Sequence, residues 1–223
     1  IEYDILVLAC GSSPFVPPCI QACHSDRVVG IHSMNDCLEM NRLLKIGLRD
    51  VTIIGSGLCG IEMVAAVNKM SPSIHINLVD VSDRMLSRYL TKDASRVFEA
   101  VLREHGVTIL KNTTLCQCVE RKSSIEVRCS NGTSFETDVL CHSCGVRPSI
   151  KLAQSIGCDV GRGILVNDKM ETSLKGVYAC GDCCEYNSHV FGTWLEAMKQ
   201  GIVCGNTIKG VANAYDYRPM PYS

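Results

Sequence analysis

The 223-residue chain is 46% hydrophobic and 20% charged, which supplies a core and excludes wholesale disorder. Its 22 Lys+Arg and 23 Asp+Glu leave a formal net charge of −1, so no field of one sign draws in nucleic acid or an anionic membrane. No apolar run reaches the roughly 18 residues of a membrane helix, and Ile1 to Asp4 carry no basic stretch of the kind that opens a signal peptide; a cytoplasmic protein is expected.

Residues 3–10 form an apolar run ending at Gly11, which predicts a strand buried on both faces. Pro14, Pro17 and Pro18 mark a linker. Residues 28–31 read as a short strand. Ser33, with Asp36 three residues on, predicts the capped start of a helix to Lys45, and Gly47 suits its end. Residues 51–54 read as a buried strand, 61–70 as a helix, 74–79 as a second strand, 91–105 as an amphipathic helix stopped by Gly106, and 107–110 as a strand. Strands at about 115–121 and 124–130 alternate towards Asn131-Gly132, a hairpin signal. Residues 138–144 predict a further buried strand. After Gly145 the pattern predicts a short helix at 150–156, short strands at 163–166 and 177–179, and a helix at 193–209 with Ala197, Met198, Ile202 and Val203 spaced for burial. Alternating strands and helices followed by a meander predict an α/β fold, a mostly parallel sheet with a small antiparallel meander.

The 15 cysteines are an odd number without a secretory signal. They sit in apolar contexts such as Leu8-Ala9-Cys10 and Val139-Leu140-Cys141, and read as reduced thiols used as small core hydrophobes. Cys141 and Cys144, and Cys180 and Cys183, have the two-residue gap of metal sites. The first pair lies in a buried strand and the second brackets Gly181-Asp182, so no metal site is expected. The six histidines show no ligand spacing.

Gly55-Ser56-Gly57-Leu58-Cys59-Gly60 follows a buried strand and opens a helix, and Asp80 ends the next strand. That is the complete dinucleotide fingerprint. Gly55 permits a tight turn. Gly57 lets backbone amides approach a pyrophosphate at the positive end of the helix. Gly60 allows close helix–strand packing, and Asp80 would accept hydrogen bonds from the adenosine ribose. A 2′-phosphate would be repelled there, so NADH is expected over NADPH, with Arg84 weakening that preference slightly.

Val177-Tyr178-Ala179-Cys180-Gly181-Asp182 supplies a second signature. With it the whole chain resembles the FAD-dependent pyridine nucleotide–disulfide oxidoreductases. Residues 3–14, ending Cys10-Gly11-Ser12-Ser13-Pro14, resemble the segment that leads from flavin domain to NAD domain, with Cys10 in place of the usual threonine. Residues 138–148, ending Gly145-Val146-Arg147-Pro148, resemble the strand that leads back. Within the family the chain looks most like NADH:rubredoxin reductases and the flavin part of nitrite reductase large subunits. Gly57-Leu58, Tyr186-Asn187 and the stretch from Phe191-Gly192-Thr193-Trp194 to Gly201 carry that likeness.

The resemblance implies a Rossmann-like NAD-binding domain inserted in an incomplete FAD-binding domain. It implies residues 1–24 and 147–223 as flavin segments and residues 25–146 as the NAD(H)-binding domain. Asp182, with Gly181, would hold the flavin ribityl chain, and Thr193 and Trp194 would begin a helix facing the flavin ring. Gly145 would lie by the nicotinamide, and Glu62 would help order that region. The family's N-terminal segment, with its own glycine fingerprint, and its C-terminal interface domain are expected to lie outside this sequence. The implied activity is hydride transfer from NADH to FAD and onward passage of electrons to a protein or iron–sulfur acceptor, with no catalytic acid or base among these side chains. An NADH oxidase, peroxidase or coenzyme A-disulfide reductase is the alternative within the family, and an NAD-binding module without catalysis the alternative outside it. An oligomer is compatible with the resemblance.

Overall fold

The computed structural model describes residues 2–217; residue 1 and residues 218–223, the end of the expected second flavin segment, lie outside the described residues. The described residues divide into two compact units, Pro14–Gly145 and a unit made of residues 2–13 together with residues 146–217.

The Pro14–Gly145 unit is built on a five-stranded sheet. Its spatial order is Val28–Val29, Val139–His142, Asp50–Ile54, His75–Val79 and Val107–Leu110, all parallel. Strands buried on both faces need apolar residues at successive positions. Val51, Ile53 and Ile54, then Ile76, Leu78 and Val79, meet most of that need, and the polar Thr52 and Asn77 are buried among them. The helices Leu58–Met70 and Lys92–Glu104 make the crossovers. Ser33 and Asp36 form the expected reciprocal cap on the helix Met34–Leu44, and Thr91 caps Lys92–Glu104 through the Ala94 amide. Asn131-Gly132 turns the chain between Ile125–Cys129 and Ser134–Thr137, which with Leu115–Glu120 form a three-stranded antiparallel meander. The order of the large sheet reverses beside Asp50–Ile54, where an open α/β sheet leaves a crevice for ligands.

In the other unit, Leu6–Leu8 pairs in parallel with Val177–Ala179. Ile164–Leu165, Cys184–Tyr186 and His189–Val190 form a small three-stranded sheet. Leu8, Ile164, Ala179, Cys183 and Cys184 fill one core, and Met170, Phe191, Cys204 and Tyr215 a second. The Phe191 and Tyr215 rings meet edge to face, with centroids 5.9 Å apart.

Three expectations need correction. The strand predicted at residues 3–10 is only Leu6–Leu8, and Ile5 and Val7 are 45% and 41% exposed. Successive side chains point to opposite faces: Leu6 and Leu8 pack into a core, whereas Ile5 and Val7 lie on the uncovered face, and Cys10 beyond the strand is exposed rather than packed. In the helix Trp194–Ile208 the buried positions are Gln200 and Cys204, whereas Met198 and Ile202 face outward. The apolar spacing there marked the wrong stripe, because the helix turns a polar residue, Gln200, inward to meet the Gly181 amide at 2.8 Å. Lastly, not every thiol is core: Cys10, Cys37, Cys59 and Cys116 are exposed.

The unit boundary at Ser13/Pro14 places residues 14–24 with the large sheet. There Cys19 donates to the Leu115 carbonyl at 3.3 Å, and Ile20 is buried beneath the meander.

Candidate functional site

The glycine turn is shaped by three separate constraints. Gly55 has φ +99°, and a Cβ there would stand 2.3 Å from the Ser143 carbonyl oxygen. Gly60 has an ordinary helical backbone, but its Cβ would stand 1.9 Å from the Gly55 carbonyl oxygen. Those two glycines serve the fold itself. Gly57 does not: it has φ −70° and nothing within 4 Å of where its Cβ would be. Gly57 is also the N-cap of Leu58–Met70 and offers no side chain to the first-turn amides, which leaves those N–H groups open. The space over Gly57 is a cradle that a side chain would fill.

Asp80 sits at the end of the neighbouring strand. Its Oδ2 accepts from the Ser56 amide at 2.5 Å and the Ser56 hydroxyl at 2.6 Å, and its Oδ1 accepts from the Ser82 amide at 2.7 Å. Burial alone would raise this carboxyl, but the Ser56 hydroxyl and the Ser82 and Ser56 amides bring it below the ordinary range. Each carboxylate oxygen accepts about two bonds, so Oδ1 keeps room for an outside donor. Glu62 lies one turn into the helix and is exposed. Gly145, with φ +82°, ends the unit, and its carbonyl accepts from the Phe15 amide at 2.9 Å.

In the other unit a cleft of about 430 Å³ is lined by Ala9, Gly11, Cys180, Gly181, Asp182, Trp194 and Ala197. Gly181 has φ +83°, and a Cβ there would come within 3.7 Å of Ala197 Cβ, so the loop lies close against the helix. The Ser12 hydroxyl donates to Asp182 Oδ2 at 3.1 Å. Thr193 caps Trp194–Ile208 without a side-chain bond, so this helix also starts with open amides. The structure therefore gathers Gly55, Gly57, Gly60 and Asp80 in one place, and Gly181, Asp182 and Trp194 around one cleft, with Thr193 beside Trp194.

Three residues at these places escaped sequence reasoning. Ser56 occupies a variable position of the glycine signature. Ser12 follows a recognisable Gly11 but has no pattern of its own. Gln200 is a buried polar residue in an apolar-looking helix.

Residues 1–201 match the family described as pyridine nucleotide-disulphide oxidoreductase. The chain belongs to that family. Among its relatives, an NADH oxidase of Methanocaldococcus jannaschii is 32% identical over 95% of this chain and 48% of its own length. A rubredoxin-NAD(+) reductase of Alcanivorax borkumensis is 31% identical over 99% of this chain and 57% of its own. The water-forming NADH oxidase from Lactobacillus brevis, solved with NADH bound, superposes with a TM-score of 0.85 at 25% identity, covering 96% of this chain and 48% of that one. The NAD-dependent persulfide reductase from A. fulgidus gives 0.88 at 26% identity, covering 96% and 41%. The chain thus spans about half the length of these family members.

Proposed function

We propose that this chain is the dinucleotide-handling part of an NADH-dependent FAD oxidoreductase that passes electrons to a protein or iron–sulfur acceptor. In this reading residues 25–146 bind NADH, and residues 1–24 and 147–223 contribute to the FAD site. The observation that carries it is the open space over Gly57. A glycine without a special backbone angle or a close neighbour in the chain is explained by a ligand that needs the room.

The pyrophosphate of NADH would lie on the open amides at the start of Leu58–Met70. Asp80 Oδ1 would accept from the adenosine ribose, and its charge would disfavour a 2′-phosphate. Glu62 and Gly145 would serve the nicotinamide end. In the other unit, Asp182 would take a ribityl hydroxyl of FAD, with Ser12 holding the carboxylate in place. The start of Trp194–Ile208 would favour negative charge on the flavin. When bound, NADH and FAD supply the hydride exchange and the division of an electron pair into single electrons. The chain's own residues bind, orient and polarise; none is asked to move a proton.

Calorimetry tests this directly. The chain is expected to bind NADH at one site, and Gly57→Ala to weaken that binding at least about tenfold with the fold intact. A chain that gives no heat with NADH overturns the reading. The similarity to rubredoxin-NAD(+) reductases supports the one-electron acceptor. The NADH oxidase relative supports a second reading with oxygen as acceptor. The two are separated by comparing rubredoxin reduction with oxygen uptake in the full-length protein.

A further inference from the structure

We propose that a cleft at the start of the helix Lys92–Glu104 binds a phosphate-type dianion, at a place separate from the glycine turn. The cleft, of about 250 Å³, is lined by Asp83, Arg84, Lys92, Arg96, Glu99 and Lys111. Four cations there face two carboxylates.

Glu99 is buried and already engages Lys111, whose Nζ lies 2.8 Å from Oε2 and 3.1 Å from Oε1. Burial alone would raise the Glu99 carboxyl, but the Lys111 ammonium and the Met85 amide bring it below the ordinary range. Arg84, Lys92 and Arg96 are less committed. Arg84 reaches Asp83 at 3.3 Å and the Ser87 carbonyl at 3.0 Å, while its Nε–H is buried without an acceptor. Among the described residues Arg96 meets only Asp93, at 3.2 Å, through side chains that are 77% and 90% exposed, and such a pair holds weakly in water. Lys92 enters no ion pair among the described residues.

The placement of these cations is unfavourable in itself. Lys92 and Arg96 are four residues apart on one helix, where like charges repel. Lys92 is also the first residue of that helix, where the helix field disfavours a cation. A dianion entering the cleft would relieve both conflicts. It would also match the excess of two positive charges and meet two guanidinium forks and an ammonium suited to a tetrahedral oxyanion.

The loop that carries Asp83 and Arg84 is tied to the glycine turn. The Ser82 amide bonds Asp80 at 2.7 Å, and the Leu86 amide donates to the Ser56 carbonyl at 3.1 Å. The phosphate could therefore be free or belong to the ribose of a dinucleotide. The charge of Asp80 opposes the second source, so free phosphate is expected.

The test titrates the full chain with inorganic phosphate in one arm, and with NADPH against NADH in the other. Each arm uses wild type and Lys92→Gln/Arg96→Gln. Both positions are exposed on the helix surface and their charges oppose each other and the helix field, so the variant is expected to keep its fold and melt no lower than wild type. Saturable phosphate binding at one site, weakened at least about tenfold in the variant and weakened by salt, supports the proposal. A preference for NADPH over NADH that vanishes in the variant, with NADH affinity unchanged, also supports it and assigns the phosphate to the ribose. No phosphate binding together with no preference for NADPH, or equal binding by the variant, overturns it, whether or not NADH binds. Phosphate binding without NADH binding would sink the proposed function and leave this site standing.

Discussion

Ser56 and Asp80 are joined twice through a single oxygen: the amide and the hydroxyl of Ser56 both donate to Asp80 Oδ2, at 2.5 and 2.6 Å. Asp80 therefore has a structural part of its own. It holds the second residue of the glycine turn, and with it the direction in which the turn presents its amides.

Asp80→Ala is expected to lower stability by about 2–4 kcal/mol, because it strands the Ser56 and Ser82 donors, and to abolish NADH binding. Ser56→Ala, which removes the hydroxyl alone, is expected to cost about 1–2 kcal/mol. Urea denaturation and calorimetry measure both effects. Equal melting of Asp80→Ala and wild type would remove the anchoring role.

The same carboxylate predicts a pH dependence. Against burial, hydrogen bonds hold Asp80 below its ordinary value. A depressed folded value gives stability that is whole above the unfolded value, about 3.9, and is lost as pH falls through the folded one. Stability measured from pH 7 down to about 3 should therefore fall, and fall less steeply in Asp80→Asn. Glu99 and Asp36, also depressed, contribute in the same direction and remain in that variant.

Gly57→Ala and Gly60→Ala separate binding from folding. At Gly60 the new Cβ would meet the Gly55 carbonyl oxygen at 1.9 Å. The helix must then move, at a cost of about 3 kcal/mol or more. Gly57→Ala meets nothing in the chain and is expected to change stability by about 1 kcal/mol or less, while reducing NADH affinity. Thermal melts alongside NADH titrations distinguish the two.

Lys111→Met leaves the buried Glu99 carboxylate short of its principal partner. Lys111 is 30% exposed and Glu99 6%, so a loss of about 2 kcal/mol is expected, below the range for fully buried pairs. Adding Glu99→Leu should recover most of it. A double-mutant cycle in urea gives the coupling.

Thiol titration reads the cysteine environments. Cys10, Cys37, Cys59 and Cys116 should react quickly with a disulfide reagent, and the buried thiols only on unfolding. Burial pushes Cys118 and Cys141 up to about 12. The Cys183 thiol donates to the Leu8 and Cys180 carbonyls, each at 3.4 Å. Cys183 is also fully buried, so it should be among the slow thiols.

The parts legible in the sequence were those with a local physical cause. Ser33 and Asp36 announced a helix start, Asn131-Gly132 a hairpin, and Gly55, Gly57 and Gly60 a turn against a helix, because each depends on neighbours in the chain. The exposed flank of Leu6–Leu8 was hidden, because whether a strand's second face is covered is settled by residues far away. So was the inward turn of Gln200, whose partner is the Gly181 amide. The bond between Ser12 and Asp182 spans 170 positions, beyond the reach of any local pattern. The charged cleft at Lys92 is assembled from a loop, a helix and the residue after Leu110, which the sequence lists without showing that they converge.

The Phe15 amide and the Gly145 carbonyl, at opposite ends of the Pro14–Gly145 unit, are 2.9 Å apart. A module whose entrance and exit touch can be lifted out of its host and another set in the same gap without stretching either. Evolution or an engineer could thus exchange the Pro14–Gly145 unit as a cassette, leaving its surroundings to continue as though uncut.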